Sequence, residues 1–187
     1  MTEDDALVRK ARGGDRNALE AVWRAHRRFV AAVLFARWPR GLDLEDGLQE
    51  VALALVRRIG SLEDPGKLRP WLRAIAIRAA ATAGRRLEIE VRGSASAEVE
   101  PAVPGDARLV DARDEESVVL ARVRELPLDY REPLVLRAVH GMTQREIASA
   151  LGLPETTVET RLARARRMLR EAMTIRAAAP RAQETKR

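Results

Sequence analysis

The chain has 187 residues, 46% of them hydrophobic but only 3% aromatic, and its net charge of +6 is placed in blocks. Residues 1–87 carry 17 basic against 11 acidic side chains, 88–116 carry 3 against 9, and 117–187 carry 14 against 8. That length admits two small domains, Ala, Leu and Val among Arg and Glu favour helices over sheets, and the absence of cysteine excludes a disulfide framework, a thiolate metal site and a cysteine nucleophile.

The first block reads as four helices. One runs from near Asp4 to Arg12 and is broken by Gly13-Gly14-Asp15. Asp15 is placed to cap a second, in which Leu19, Val22, Trp23, Val30, Val33 and Leu34 approximate helical apolar spacing before Pro39-Arg40-Gly41 stops it. A third runs from about Asp43 to Ile59, with Leu44, Leu48, Val51, Leu55 and Ile59 on one stripe and Asp46, Gln49 and Glu50 off it. Gly60 closes it, and Glu63-Asp64-Pro65-Gly66 is turn-like. A fourth helix spans Leu68 to Leu87, with Trp71, Leu72, Ile75 and Ala79 inward and Arg69, Arg73, Arg78, Arg85 and Arg86 on or near other faces.

From Glu88 the periodicity fades, and Gly93-Ser94-Ala95-Ser96-Ala97, Pro101 and Pro104-Gly105 have the composition of a flexible connector. The expected organisation is therefore a unit over 1–87, an acidic connector over 88–114, a second unit over 115–176 and a short basic tail over 177–187. The second unit opens with Val118, Val119, Val123 and Leu126, breaks at Pro127, and resumes over Asp129 to Val139. Pro133 fits that helix only in its first turn, where the missing donor is not needed.

Thr143-Gln144-Arg145-Glu146 has capping-box spacing, and Ile147, Ala148 and Leu151 follow on a helical face. Gly152 permits the left-handed turn that ends this helix, and Pro154 stands where another begins. In that last helix Val158, Leu162 and Ala165 bury one face, leaving Glu155, Thr156, Glu159, Thr160, Arg161, Arg164, Arg166 and Arg167 outward. A helix, a tight turn and an Arg-rich helix form the arrangement that lays a recognition helix in the major groove. Arg pairs with guanine edges or phosphates, and Thr does either more weakly. The candidate DNA contacts here are Thr143, Thr156, Thr157, Thr160, Arg161, Arg164 and Arg166. The plain structural alternative is a helical hairpin with a solvated basic face.

The stretch from Leu126-Pro127 through Tyr130–Arg137, Gly141-Met142-Thr143, Glu146-Ile147-Ala148 and Leu151-Gly152 to Thr157–Arg166 resembles the fourth domain of bacterial sigma factors of the extracytoplasmic-function type. The segments Leu7–Asp15, Leu44–Val51 and Leu68–Leu72 resemble the second domain of the same family. The resemblance implies an all-α fold of two small helical domains joined by a flexible linker. It implies that Asp46, Gln49 and Glu50 contact the clamp helices of core RNA polymerase. It further implies that the helix carrying Arg69, Arg73, Arg78, Arg85 and Arg86 faces the minus-ten element as promoter DNA melts, and that the helix-turn-helix reads duplex DNA at the minus-thirty-five element. An anti-sigma factor is an implied partner, and a cytoplasmic location without membrane attachment is expected. This sequence departs from the pattern at Ile77-Arg78, where an Arg-Asn pair is usual, at Thr82, commonly acidic, and at Glu159, frequently basic.

Neither His26 nor His140 has carboxylates at ligand spacing, and packing or capping is the expected use of both. Asp46 with Glu50 is a single acidic pair of the sort found on solvated helix faces, and Gly13-Gly14 is too short to cradle a phosphate. Trp23, Trp38 and Trp71 read as core or interhelical packing, with base stacking a further use for Trp71. No catalytic, metal or cofactor site is therefore expected. Three functions remain: a promoter-specificity subunit of polymerase, a free-standing helix-turn-helix regulator, and a sigma-like protein that binds polymerase with weak promoter melting.

Overall fold

The computed structural model describes residues 3–94 and 112–178; the connector over 95–111 and the tail from 179 lie outside them. The described residues form helices α1 (Glu3–Arg12), α2 (Arg16–Arg37), α3 (Leu44–Arg58), α4 (Leu68–Ser94), α5 (Ala112–Glu125), α6 (Leu128–His140), α7 (Gln144–Leu151) and α8 (Glu155–Ala178), with tight 3₁₀ turns at Ile59–Ser61 and Pro65–Lys67.

Local chemistry accounts for several helix ends. The Asp15 carboxylate accepts from the backbone N–H groups of Asn17 and Ala18, satisfying donors that the first turn of α2 leaves unpaired. Asp43 does the same for Glu45 at the start of α3. The reciprocal Thr143–Glu146 cap opens α7, and Gly152, at φ 67°, ends it.

The structure departs from the sequence reading at the end of α4 and at Pro133. Helix α4 continues to Ser94 instead of ending at Leu87, because Arg85-Arg86-Leu87-Glu88-Ile89-Glu90 contains no breaker. Pro133 lies inside α6, in its second turn, and not in the first. A proline there offers no N–H to the carbonyl of Asp129. Burial of Pro133 together with Glu132, Val135 and Leu136 holds the helix in place.

Helix α2 is the central element. Its Val22, Phe29, Val30, Val33 and Leu34 are fully buried, and it packs against α1, α3, α4 and α6. Each such side chain contributes roughly 1.5–3 kcal/mol by leaving water. Gly47 lets α3 approach: a Cβ there would lie 2.9–3.1 Å from the Trp38 ring.

The packing of α6 against α2 joins the two units. Their apolar cores are continuous, from Val22 and Phe29 through Leu136 and Met142 to Ile147 and Leu162. The His140 ring meets the edge of Phe29 at 6.2 Å, and the His26 Nδ1 lies 3.0 Å from the Val22 carbonyl oxygen, so both histidines serve packing. The sequence reading places two units side by side along the chain but does not contain this docking.

Candidate nucleic-acid interface

The helix-turn-helix is built as its sequence dictates. Thr143 N–H and Thr143 Oγ1 both donate to Glu146 Oε2, at 2.9 and 3.0 Å, while Glu146 N–H donates to Thr143 Oγ1 at 3.2 Å. The Thr143 hydroxyl is therefore spent on the cap. Val158, Leu162 and Ala165 are buried and seat α8 against α6 and α7. The opposite side of α8 opens onto a cleft of about 360 Å³ lined by Asp129, Tyr130, Thr156, Thr157, Thr160, Arg161 and Arg164. Arg161 Nη1 lies 3.3 Å from Asp129 Oδ1, the Arg164 guanidinium sits 5.7 Å from the centre of the Tyr130 ring, and Thr160 Oγ1 donates to the Thr156 carbonyl at 2.9 Å. Arg166 and Arg167 are exposed further along α8, with Arg166 turned about 160° from Arg164 and so away from the cleft.

The α4 arginines do not form one surface. At 100° per residue, Arg69 and Arg73 lie on one side of the helix, Arg78 and Arg85 on nearly the opposite side, and Arg86 on a third. Arg78, Arg85 and Arg86 are exposed, with Arg85 Nη2 donating to Thr82 Oγ1 at 3.1 Å. Arg69 and Arg73 instead face the second unit. Arg69 Nη1 donates to Glu146 Oε1 at 3.0 Å, and Arg73 grips Glu132 with Nε and Nη2 at 2.7 and 2.9 Å.

Glu132 and Arg37 carry no signal in the sequence, because their partners lie in another unit. The Glu132 side chain is only 4% exposed and also accepts from Arg37 Nη2 at 2.6 Å. Burial pushes its carboxyl upward, but the hydrogen bonds from Arg73 and Arg37 outweigh that and hold it below the ordinary carboxylate range. Glu146 is lowered to about 2, first by the Thr143 backbone N–H and then by Arg69. Around the same junction Arg131 donates to the Ala36 carbonyl at 2.8 Å, Arg28 to the Val139 carbonyl at 3.2 Å, and the Arg124 guanidinium stacks 4.4 Å above Phe35.

Asp46 and Gln49 are exposed and Glu50 is half-buried along α3. The same stripe continues into Leu53 and Val56, which are 55% and 57% exposed. No three metal-ligating side chains gather among the described residues, and no described helix is long and apolar enough to cross a membrane.

These elements define a class: a two-unit helical protein with a helix-turn-helix, an arginine-bearing helix and a separate acidic and apolar stripe. A family model described as Sigma-70 region 2 matches residues 22–88, and one described as Sigma-70, region 4 matches residues 117–169. The chain is 30% identical over 171 residues to RNA polymerase sigma factor NccH of Alcaligenes xylosoxydans xylosoxydans, covering 89% of this chain and 92% of that one. It is 27% identical over 173 residues to the ECF RNA polymerase sigma-E factor of Escherichia coli strain K12, covering 87% and 90%. Among solved structures it resembles CnrH in complex with the cytosolic domain of CnrY, with a TM-score of 0.66, 25% identity and coverage of 93% and 99%. The fold is also that of the sigma factor RpoE crystallised with the anti-sigma factor NepR from Bartonella quintana, with a TM-score of 0.56, 23% identity and coverage of 86% and 96%. The chain belongs to the sigma-70 family of RNA polymerase sigma factors, in its extracytoplasmic-function branch.

Proposed function

We infer that the protein is a sigma subunit: it binds core RNA polymerase and directs promoter recognition and transcription initiation. The observation that carries this reading is the pairing, in one chain and in order, of a region 2 match over 22–88 with a region 4 match over 117–169 whose helix-turn-helix is fully formed. A free-standing regulator needs only the second of these.

The residue roles are those that the family resemblance implies, with position and chemistry in their support. Asp46, Gln49 and Glu50 bind core polymerase, a role supported by their accessibility and by the apolar Leu53 and Val56 beside them. Such a stripe, polar with exposed aliphatic side chains, suits a protein partner better than DNA. Arg69, Arg73, Arg78, Arg85 and Arg86 serve the minus-ten region. Thr156, Thr157, Thr160, Arg161, Arg164 and Arg166 serve the minus-thirty-five region, with Thr143 holding the helix that supports them. The units are those of the sequence reading, 1–87, 88–114, 115–176 and 177–187, with the end of α4 and the start of α5 reaching into the connector. The protein acts as a non-catalytic, cofactor-free subunit in the cytoplasm, where polymerase and DNA are found, and an anti-sigma factor is its regulatory partner. That last assignment is supported by the NepR complex of the Bartonella quintana relative.

Abortive transcription from randomised promoters, with core polymerase in the presence and absence of the protein, tests the reading. Specific short transcripts that depend on the protein establish it. Core binding without transcripts replaces it with a polymerase-binding protein that does not open promoters, the reading that the altered Ile77-Arg78 and Thr82 positions favour.

A further inference from the structure

Arg37 ends α2 and Arg73 lies in the second turn of α4, yet their guanidinium groups converge. Arg37 Nη2 and Arg73 Nη2 donate to the same oxygen, Glu132 Oε2, at 2.6 and 2.9 Å, and Arg73 Nε takes Oε1 at 2.7 Å. Both side chains come from the first unit, whereas the carboxylate comes from the second. With the units packed, the two arginine side chains are 20% and 21% exposed. Arg37 Nε is buried and has no partner among the described residues. Two cations so close repel one another unless an anion lies between them. A first unit separated from α6 therefore leaves two neighbouring guanidiniums that an anion with at least two oxygens can draw together, the geometry in which planar guanidiniums bind carboxylate and phosphate alike. One turn earlier on the same side of α4, Arg69 is likewise occupied by a carboxylate of the second unit, Glu146.

Resting on the promoter-binding reading above, we propose that Arg37 and Arg73 form a binding site for a backbone phosphate of promoter DNA, and that Glu132 occupies it as an internal stand-in while the units are packed together. Arg37, on α2, thereby joins Arg69 and Arg73 of α4 in the DNA interface. One fork cannot satisfy two anions, so closure of the units and DNA engagement at this point exclude each other. DNA is the occupant favoured over an acidic protein because two successive arginine positions on the promoter-facing helix are covered by carboxylates in the same way. A row of phosphates would engage both positions.

The test uses holoenzyme assembled with core polymerase and promoter DNA that the wild-type holoenzyme selects from a randomised pool. All comparisons are made in a Glu132→Gln background, so that no variant carries a buried unpaired carboxylate. In that background Arg37→Ala is expected to reduce the slope of log affinity against log salt by about 0.7–0.9, the value for one lost phosphate contact, with equal loss on different selected promoters. Arg37→Lys restores the slope. An unchanged slope overturns the phosphate site and leaves the promoter reading intact. A loss seen already in binding to core polymerase without DNA overturns it in favour of an acidic polymerase surface. Failure of the wild-type holoenzyme to select any DNA removes the promoter reading and this site with it. For the stand-in, small-angle scattering of the isolated chain is expected to show a larger radius for Glu132→Gln than for wild type; equal radii remove that part of the proposal.

Discussion

Arg73 Nε and Glu132 Oε1 meet at 2.7 Å across 59 residues of chain, joining α4 to a helix of the unit that carries the helix-turn-helix. The pair is charge-assisted and bidentate, and it is sheltered from solvent that would screen it. Docking of the two units therefore rests on ionic contacts as well as on the apolar contact of α2 with α6.

The α7 cap and the docking contacts together make the docked fold sensitive to acid. Glu132 and Glu146 are both held below the ordinary value of 4.5, the latter at about 2. Groups with lowered values stabilise the folded, docked form above their unfolded value, and that contribution fades as pH falls from about 4.5 toward 2. Urea unfolding at a series of pH values is expected to show stability dropping over this window. Glu146→Gln, which cannot titrate, flattens part of the drop; an unaltered profile removes Glu146 from the account.

The reciprocal cap on α7 supports the recognition helix from behind. Thr143→Ala removes both the acceptor for the Glu146 N–H and one donor to its carboxylate, and is expected to cost about 0.5–2 kcal/mol. Denaturant titration followed by circular dichroism measures it. Thr143→Ser, which keeps the hydroxyl, recovers most of the loss.

Gly47 is fixed by its neighbour. In Gly47→Ala the new methyl group meets the Trp38 ring at 2.9–3.1 Å, with rigid ring atoms in place of a flexible chain end. Overpacking of this kind costs about 1–3 kcal/mol. A lowered melting temperature with blue- or red-shifted tryptophan emission is the expected outcome; wild-type melting shows that α3 and Trp38 yield without cost.

Asp46 is exposed in the first turn of α3, so charge reversal there leaves the core packing intact. Asp46→Arg is expected to abolish binding to core polymerase while leaving the melting curve unchanged. Full retention of affinity removes Asp46 from the polymerase surface.

Arg161 projects from α8 into the cleft beside Asp129. Arg161→Ala is expected to weaken holoenzyme binding to the upstream promoter element by roughly 1–3 kcal/mol if the side chain reads a base edge. Equal loss on every upstream sequence reassigns it to a phosphate.

Helix positions and caps were legible because they depend on residues a few places apart. Asp15 reaches only to Ala18 and Thr143 only to Glu146, and both caps form where the spacing predicts them. The buried faces of α3 and α8 follow from 3.6-residue periodicity in the same way. Pro133 escaped local reasoning because burial against neighbouring helices outweighs the lost hydrogen bond in α6.

The amino-acid sequence by itself determined an all-helical chain with two basic units, a helix-turn-helix and its outward arginines, since each depends on short-range spacing and on where polar groups meet water. Tertiary structure alone decided which arginines remain open and which are taken. Arg69 and Arg73 look equivalent to Arg78 and Arg85 along the chain, and only the docking of α6 and α7 supplies the carboxylates that occupy the first two. A charge finds its partner by distance in space, and a separation of 95 positions between Arg37 and Glu132 leaves no trace of that distance in the order of residues.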